Sequence, residues 1–220
     1  MSTPVVLVPG LGLGPESYDR TAEHLITPHH VVTLPGYGEP AGTRDDLHPR
    51  ALAVALAEKI RDRSVLVGHS ASCQIVAELA VRNPELVHAL VLVAATGDAR
   101  MSSWVDRAVR LVGSAIPDAP KLIRSVTPQY ARTTLPTIAR AVEASRHHDL
   151  AEIIAYVRVP VVIVRGKHDL LCTAEWADRL AELSHGEART LDTGAHIPVV
   201  TNGPEVAALI ERAAALPAPG

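Results

Sequence analysis

The sequence Val65-Leu-Val-Gly-His-Ser-Ala-Ser72 carries the pattern that decides the fold. Its first three residues predict a buried strand, and aliphatic residues at helical spacing predict an amphipathic helix over 71–82. Gly-x-Ser-x-small at this junction predicts a sharp turn, because small residues two positions before and after the serine let the helix and strand pass closely. Such a turn raises the hydroxyl of Ser70 above the sheet, beside a helix N-terminus that favours negative charge.

Short β-branched segments alternate with longer amphipathic segments along most of the chain. Alternation of this kind is typical of a parallel sheet with helices on both of its faces. We therefore predict an α/β fold with a mostly parallel, doubly wound sheet of about six strands. The predicted strands are 5–8, 31–34, 65–67, 89–93, 161–164 and 188–191, and the predicted crossover helices are 49–61, 71–82, 174–183 and 204–214.

Residues 98–158 interrupt this alternation. Helical segments punctuated by prolines follow one another there without a convincing strand, so we predict a helical cap at 98–158 inserted into a core of 1–97 and 159–220. The insertion is locally basic in an acidic chain. A solvated helical surface is the simpler interpretation, and binding of an anionic group of a substrate is the alternative. The basic residues are Arg100, Arg107, Arg110, Lys121, Arg124, Arg132, Arg140 and Arg146.

The composition argues against several classes of function. With 220 residues, 47% hydrophobic and 20% charged, the chain is predicted to form one compact domain. A formal net charge of -3 gives no basic field for nucleic acid, and Cys73 and Cys172 form neither a disulfide framework nor a zinc motif. Neither a secretory signal nor an apolar run of about 18 residues is present. We expect a cytoplasmic protein that acts on a small molecule, with no cofactor, metal ion, nucleic acid or membrane partner.

The turn at Ser70 resembles the nucleophile elbow, Gly-x-Ser-x-Gly, of the α/β-hydrolase family, with Ser72 in place of the second glycine. The family places its triad in the order serine, acid, histidine. The segment RGKHD at 165–169 is similar to the acid loop, and TGAHIP at 193–198 is similar to the histidine loop. The resemblance implies that Ser70 is the nucleophile, His196 the general base and Asp169 the acid that orients it. Loops at the carboxyl ends of parallel strands open on one edge, so we expect these side chains to meet there.

Two other residues are alternatives to consider for roles in this triad. Asp98 follows the strand after the nucleophile helix, where some members of the family carry their acid, and it is the alternative to Asp169. His69 is adjacent to Ser70 in sequence, but adjacent side chains diverge, so we predict a packing role for it.

A glycine-rich loop, PGLGLG at 9–14, follows the first predicted strand. In the family the matching loop reads His-Gly-x and donates a backbone N–H to the oxyanion. The resemblance implies that Leu11 and Ala71 supply the two N–H groups, with Pro9 in place of a histidine that often buttresses the loop. A dinucleotide-binding loop is the alternative, but the spacing Gly-x-Gly-x-Gly and the absence of an acidic residue after the second strand argue against it.

The resemblance implies a serine hydrolase that cleaves a small carboxylic ester, lactone or thioester through an acyl-enzyme. A relative that cleaves C–C or C–N bonds without net hydrolysis and a ligand receptor on the same fold are the alternatives. The chain has no phenylalanine and only 3% aromatic residues, which favours an aliphatic pocket. Trp104 and Trp176 are candidates either for its lining or for simple packing.

Overall fold

A parallel sheet organises the computed structural model, which describes residues 3–98, 109–110, 113–114 and 119–217. In chain order the strands are β1 (Val5–Val8), β2 (His29–Val31), β3 (Leu34–Pro35), β4 (Gly38–Glu39), β5 (Ser64–His69), β6 (Val87–Val93), β7 (Val161–Arg165) and β8 (Glu187–Thr190). The larger sheet has the order β2-β1-β5-β6-β7-β8, with every neighbouring pair parallel, and β3 pairs with β4 in a second, two-stranded sheet. The predicted sheet of about six strands is thereby confirmed.

Helices connect the strands and cover the sheet. Short 3-10 segments lie at Pro15–Tyr18 and Pro84–Leu86. The α-helices are α1 (Asp19–Ala22), α2 (Pro49–Ala57), α3 (Ser72–Arg82), α4 (Ala119–Thr133), α5 (Leu135–Arg146), α6 (Leu150–Ile154), α7 (Ala174–Ser184), α8 (Pro198–Thr201) and α9 (Gly203–Ala214). Among the described residues, none of these helices combines the length and the apolar character that a membrane span needs.

Side chains of the sheet alternate between two buried faces. On one face, Val6 and Leu66 pack in a cluster that includes residues of α2, α3, α6 and α7. On the other face, Val5 and Val67 pack with Tyr18 and with residues of α9. Because both faces are covered, the inner strands are continuous apolar runs, which is the pattern that the sequence shows.

Most predicted elements agree with the structure to within two residues, and the exceptions have a physical cause. The second strand was predicted at 31–34, whereas β2 covers His29–Val31 and the chain then turns into β3. This strand is at the sheet edge, where His29 and His30 are exposed, so it lacks the apolar run of the inner strands. The helix predicted at 49–61 ends earlier, at Ala57.

The carboxyl ends of four adjacent strands are nearly level. Val8 at the end of β1 pairs with Gly68 in β5, and Val93 at the end of β6 pairs with both His69 and Val164. The loops that follow β1, β5, β6 and β7 therefore open on the same edge of the sheet.

The chain between β6 and β7 contains α4, α5 and α6, and the described part of 98–158 contains no strand. Asp149 caps the N-terminus of helix α6, where its side chain accepts the N–H groups of Ala151 and Glu152. Just before it, Nε2 of His148 lies 3.0 Å from Oε1 of Glu78 and joins this region to α3.

Candidate active site

Ser70 lies at the junction of β5 and α3 with a φ of 55°, in the left-handed region that few residues other than glycine adopt. The turn depends on its small neighbours. A Cβ at Gly68 would lie 2.8 Å from the backbone of α3. The hydroxyl of Ser72 accepts the N–H of His69 at 2.8 Å and lies 2.9 Å from the carbonyl oxygens of Val8 and His69. Serine in place of the family's second glycine therefore fits the turn and ties it to β1.

The structure brings Ser70, His196 and Asp169 together as a chain of hydrogen bonds. The Ser70 hydroxyl donates to Nε2 of His196 at 2.9 Å. On the opposite side of the ring, Nδ1–H of His196 donates to the Asp169 carboxylate, 3.0 Å from Oδ2 and 3.1 Å from Oδ1. Both His196 and Asp169 are buried. This geometry corresponds to a neutral imidazole that carries its proton on Nδ1 and accepts one from serine.

The Asp169 carboxylate is held in its ionised form. Burial raises its pKa, but the adjacent His196 and hydrogen bonds from His196, Cys172 and Leu171 outweigh that effect, so the pKa lies below the ordinary value. The backbone N–H groups of Leu171 and Cys172 both donate to Oδ1, at 2.8 and 3.0 Å. The carboxylate is consequently fixed in both charge and direction.

A buried arginine, Arg165 at the end of β7, shapes the loop that carries the acid. Its Nε donates to the carbonyl oxygen of Cys172 at 2.7 Å. Its Nη2 donates to the carbonyl oxygens of Asp169 at 3.0 Å and of Lys167, the first residue after Gly166, at 3.3 Å. Arg165 was not among the predicted site residues, because the sequence does not show whether a cation at the end of a strand points to solvent or inward.

Asp98, the alternative acid, lies elsewhere in the same site. It is buried and lines the cavity in front of Ser70. Nδ1 of His196 instead contacts the carboxylate of Asp169. The geometry therefore favours Asp169 for the acid position and places Asp98 where it would face a bound substrate.

His69 has a structural position behind the triad. Its Nε2–H donates to the carbonyl oxygen of His196 at 2.9 Å, and the two rings are 5.8 Å apart between centroids. Burial lowers the pKa of His69 to about 4, and the nearby His196 acts in the same direction. His69 is thus neutral near pH 7 and anchors the histidine loop, which agrees with the packing role predicted for it.

The two residues predicted to supply the oxyanion N–H groups lie at the cavity. Leu11 and Ala71 line the cavity together with Ser70. Within the part of the chain that the structure describes, neither of their N–H groups makes a hydrogen bond. The neighbouring N–H groups of Gly12 and Gly14, which a dinucleotide loop would offer to phosphates, donate instead to Gly36 and Gln129 within the protein.

A cavity of about 480 Å³ lies in front of Ser70. Its wall also contains the polar residues Thr96, Asp98 and Ser145. Trp176 does not contribute to this wall: it is buried in the core, and its ring N–H donates to the carbonyl oxygen of Ala95 at 3.1 Å. Trp104 lies outside the described residues. The aliphatic side chains of the wall are those of Leu11, Leu13, Leu135, Ile138, Val142, Leu171 and Ile197.

Three arginines of the predicted insertion make contacts away from this cavity. Arg132 pairs with Glu16 at 2.8 Å, and Arg146 pairs with Glu143 at 2.7 Å. Arg140 donates to carbonyl oxygens of the loop at 42–45. These contacts favour the solvated-surface interpretation of the basic segment, and Arg100 and Arg107 lie outside the described residues.

Comparisons with known proteins agree with the fold described above. A sequence model described as Alpha/beta hydrolase family matches residues 5–209. The chain is 26% identical to a pimeloyl-[acyl-carrier protein] methyl ester esterase of Methylococcus capsulatus, over 94% of this chain and 92% of the relative. Among solved structures, the enol-lactonase from Burkholderia xenovorans is 17% identical with a TM-score of 0.76, covering 97% of this chain and 91% of that one. A hydrolase from Oleispira antarctica is 15% identical with a TM-score of 0.80 and the same coverage.

Proposed function

Because this chain belongs to the alpha/beta hydrolase family, we propose that it is a serine hydrolase that cleaves a small carboxylic ester, lactone or thioester through an acyl-enzyme. The family match confirms the resemblance that the sequence motifs predicted. The observation that carries the proposal is the hydrogen-bonded chain from Asp169 through His196 to Ser70, whose last two residues line a mainly aliphatic cavity.

In the first step the Ser70 oxygen attacks the substrate carbonyl carbon. His196 Nε2 accepts the hydroxyl proton, and the ionised Asp169 stabilises the imidazolium that forms. The carbonyl oxygen becomes an oxyanion, which receives hydrogen bonds from the N–H groups of Leu11 and Ala71. These two groups make no hydrogen bond within the described residues, so they are available when charge develops.

The second half of the reaction uses the same groups. The imidazolium of His196 gives its proton to the leaving alkoxide or thiolate as the bond to the acyl carbon breaks, which leaves an ester on Ser70. His196 then takes a proton from water, and the resulting hydroxide attacks the acyl carbon. Proton return to Ser70 releases the carboxylic acid. Apart from the substrate and one water molecule, the groups that react in these steps belong to the chain.

Two observations support an aliphatic ester substrate. The wall of the cavity is mainly aliphatic, and its volume of about 480 Å³ is at the small end of ligand pockets. The named relatives are an esterase and an enol-lactonase, whose substrates contain a carboxylic ester bond.

We propose that 98–158 acts as a cap that selects the substrate. Helix α5 contributes Leu135, Ile138 and Val142 to the cavity wall. Next to the acid loop, Leu170 donates its N–H to the Ser114 hydroxyl at 3.0 Å, and its carbonyl oxygen accepts from Arg110 at 3.2 Å. These contacts support a segment that closes over the triad from two sides.

Covalent labelling tests the nucleophile directly. The wild-type chain is expected to react with a fluorophosphonate probe at Ser70 and to hydrolyse p-nitrophenyl esters of short aliphatic acids. Ser70→Ala should lose both reactions and keep the wild-type melting temperature. Ser184→Ala is the matched control, because Ser184 is a buried serine of α7 that hydrogen-bonds within its own helix.

The outcomes separate the alternatives. Hydrolysis by Ser70→Ala at the wild-type rate would show that another group is the nucleophile. A wild-type chain that takes up the probe poorly and hydrolyses no ester, thioester or lactone would instead support a ligand receptor. Labelling at Ser70 without hydrolysis of any member of that panel would favour the C–C or C–N lyase.

A further inference from the structure

One face of α4 lies on the glycine-rich loop at 9–14. Val126, Gln129, Tyr130 and Thr133 are spaced i, i+3, i+4 and i+7, so they share one face of the helix. Val126 packs with Leu13 in a small hydrophobic cluster, to which Tyr130 is joined. The face is therefore directed at the segment from which Leu11 offers its N–H.

Two polar side chains of this face bind the backbone of the loop. The N–H of Gly14 donates to Oε1 of Gln129 at 2.6 Å, and the hydroxyl of Thr133 donates to the carbonyl oxygen of Gly12 at 3.1 Å. Gln129 is 2% exposed and Thr133 is fully buried. Hydrogen bonds in such surroundings fix geometry well, because water does not compete for the same groups.

Tyr130 adds a steric constraint to the same loop. Gly12 has a φ of 79°, and a Cβ at this position would overlap the Tyr130 ring. The ring lines the cavity and lies directly against the loop backbone. Gly12 is thus held between the tyrosine on one side and the hydrogen bond from its N–H to Gly36 on the other.

The loop has little support from its own sequence. Pro9 has no side-chain donor or acceptor, and within the loop Leu13 donates its N–H to the carbonyl oxygen of Gly10 at 2.9 Å. Leu11 lies inside the turn that this hydrogen bond closes. The Leu11 N–H and the Gly10 carbonyl belong to one peptide, and that carbonyl accepts the Leu13 N–H, whose own peptide contains the Gly12 carbonyl that Thr133 holds. The direction of the Leu11 N–H therefore depends on this turn and on its anchor at Thr133.

We infer that Gln129 and Thr133 are positioning residues that aim the Leu11 N–H at the oxyanion. The inference rests on the proposed function of Leu11 in the hydrolase reaction. Helix α4 thereby has two tasks, since it closes the cavity through Tyr130 and also completes the catalytic geometry. A chain in which α4 leaves the core loses stabilisation of the transition state even when a substrate remains bound.

Kinetics of matched variants test this role. Thr133→Val and Gln129→Met remove the hydrogen bonds at similar volume. Loss of an oxyanion donor lowers kcat by about 10²–10³-fold, so partial misalignment should lower kcat about tenfold with KM within about twofold. Thr133→Ser keeps the hydroxyl and should restore most of kcat. Thr137→Val is the control, because Thr137 is also buried but accepts from Ala41, outside the loop.

Hydrogen exchange provides a readout that does not need turnover. In Thr133→Val and Gln129→Met, the amide of Gly14 should exchange faster than in the wild type, whereas amides in the middle of α3 should not change. The inference is overturned if both variants keep kcat within twofold, or if Thr137→Val reduces kcat as much. If the wild type hydrolyses nothing, the proposed function fails. Unchanged exchange at Gly14 would separately refute the hydrogen bond between its N–H and Gln129.

Discussion

Replacing Asp169 with asparagine would test the electrostatic part of the triad at nearly constant shape. Oδ1 of Asp169 accepts two backbone N–H groups, from Leu171 and Cys172. In the variant only the amide oxygen can occupy this position, because an NH2 group there would face two donors. The NH2 group is then forced toward Nδ1 of His196, 3.0 Å away.

That orientation reverses the hydrogen bond on which catalysis depends. An asparagine NH2 donates to Nδ1, so Nδ1 must be unprotonated and the neutral ring carries its proton on Nε2. Nε2 then donates toward Ser70 and can no longer accept the hydroxyl proton. A replacement of this kind in a serine protease lowers kcat about 10⁴-fold, which corresponds to about 5 kcal/mol of transition-state stabilisation. We expect a loss of about 10³–10⁴-fold in kcat for Asp169→Asn.

The assay is hydrolysis of a p-nitrophenyl ester under saturating conditions, with active sites counted by fluorophosphonate labelling at long times. Asp98→Asn makes the same chemical change at a residue of the cavity wall and is expected to lower kcat by less than tenfold. A loss below tenfold for Asp169→Asn, with a larger loss for Asp98→Asn, would refute the assignment of the acid.

Two further predictions concern stability. The pKa of His69 in the folded chain is about 4, below the ordinary value of 6.5, so the unfolded chain binds more protons between these values. The free energy of unfolding should therefore fall as the pH decreases from 6.5 to 4. Urea unfolding at pH 7 and pH 4.5 should show a smaller decrease for His69→Gln than for the wild type, and equal decreases would contradict this. Arg165→Met leaves buried carbonyl oxygens without donors and should lower the free energy of unfolding by about 2–3 kcal/mol. Arg189→Met, at an exposed arginine paired with Glu187, should change the free energy of unfolding by less than about 0.5 kcal/mol. Similar effects of the two variants would show that the hydrogen bonds of Arg165 do not stabilise the acid loop.

Much of the fold followed from the sequence because the inner strands are buried on both faces. Such strands must be apolar throughout, so segments such as 161–164 stand out from the amphipathic helices around them. The edge strand β2 contains exposed histidines instead of a continuous apolar run, which is why its position was predicted wrongly.

The meeting of Ser70, Asp169 and His196 was predictable for a topological reason. Each residue follows a strand of one parallel sheet, and the carboxyl ends of those strands share an edge. The order of motifs in the family identified each residue, and the shared edge of the parallel sheet explains why the three lie close together.

The contacts of α4 with the glycine-rich loop could not be predicted in this way. Gln129 and Gly14 are separated by 115 residues, and Thr133 and Gly12 by 121. Helical periodicity indicates that one face of α4 is covered, but it does not identify the covering segment. Arg165 presents the same difficulty, because the fold of its own loop decides whether a terminal cation points to solvent or inward.

The left-handed backbone of Ser70 has a cost in stability. A residue other than glycine in that region destabilises the chain by about 1–3 kcal/mol. Glycine at position 70 would relieve this strain, and under the proposed mechanism it would also remove the nucleophile. Stability and reactivity therefore make opposite demands on the same position.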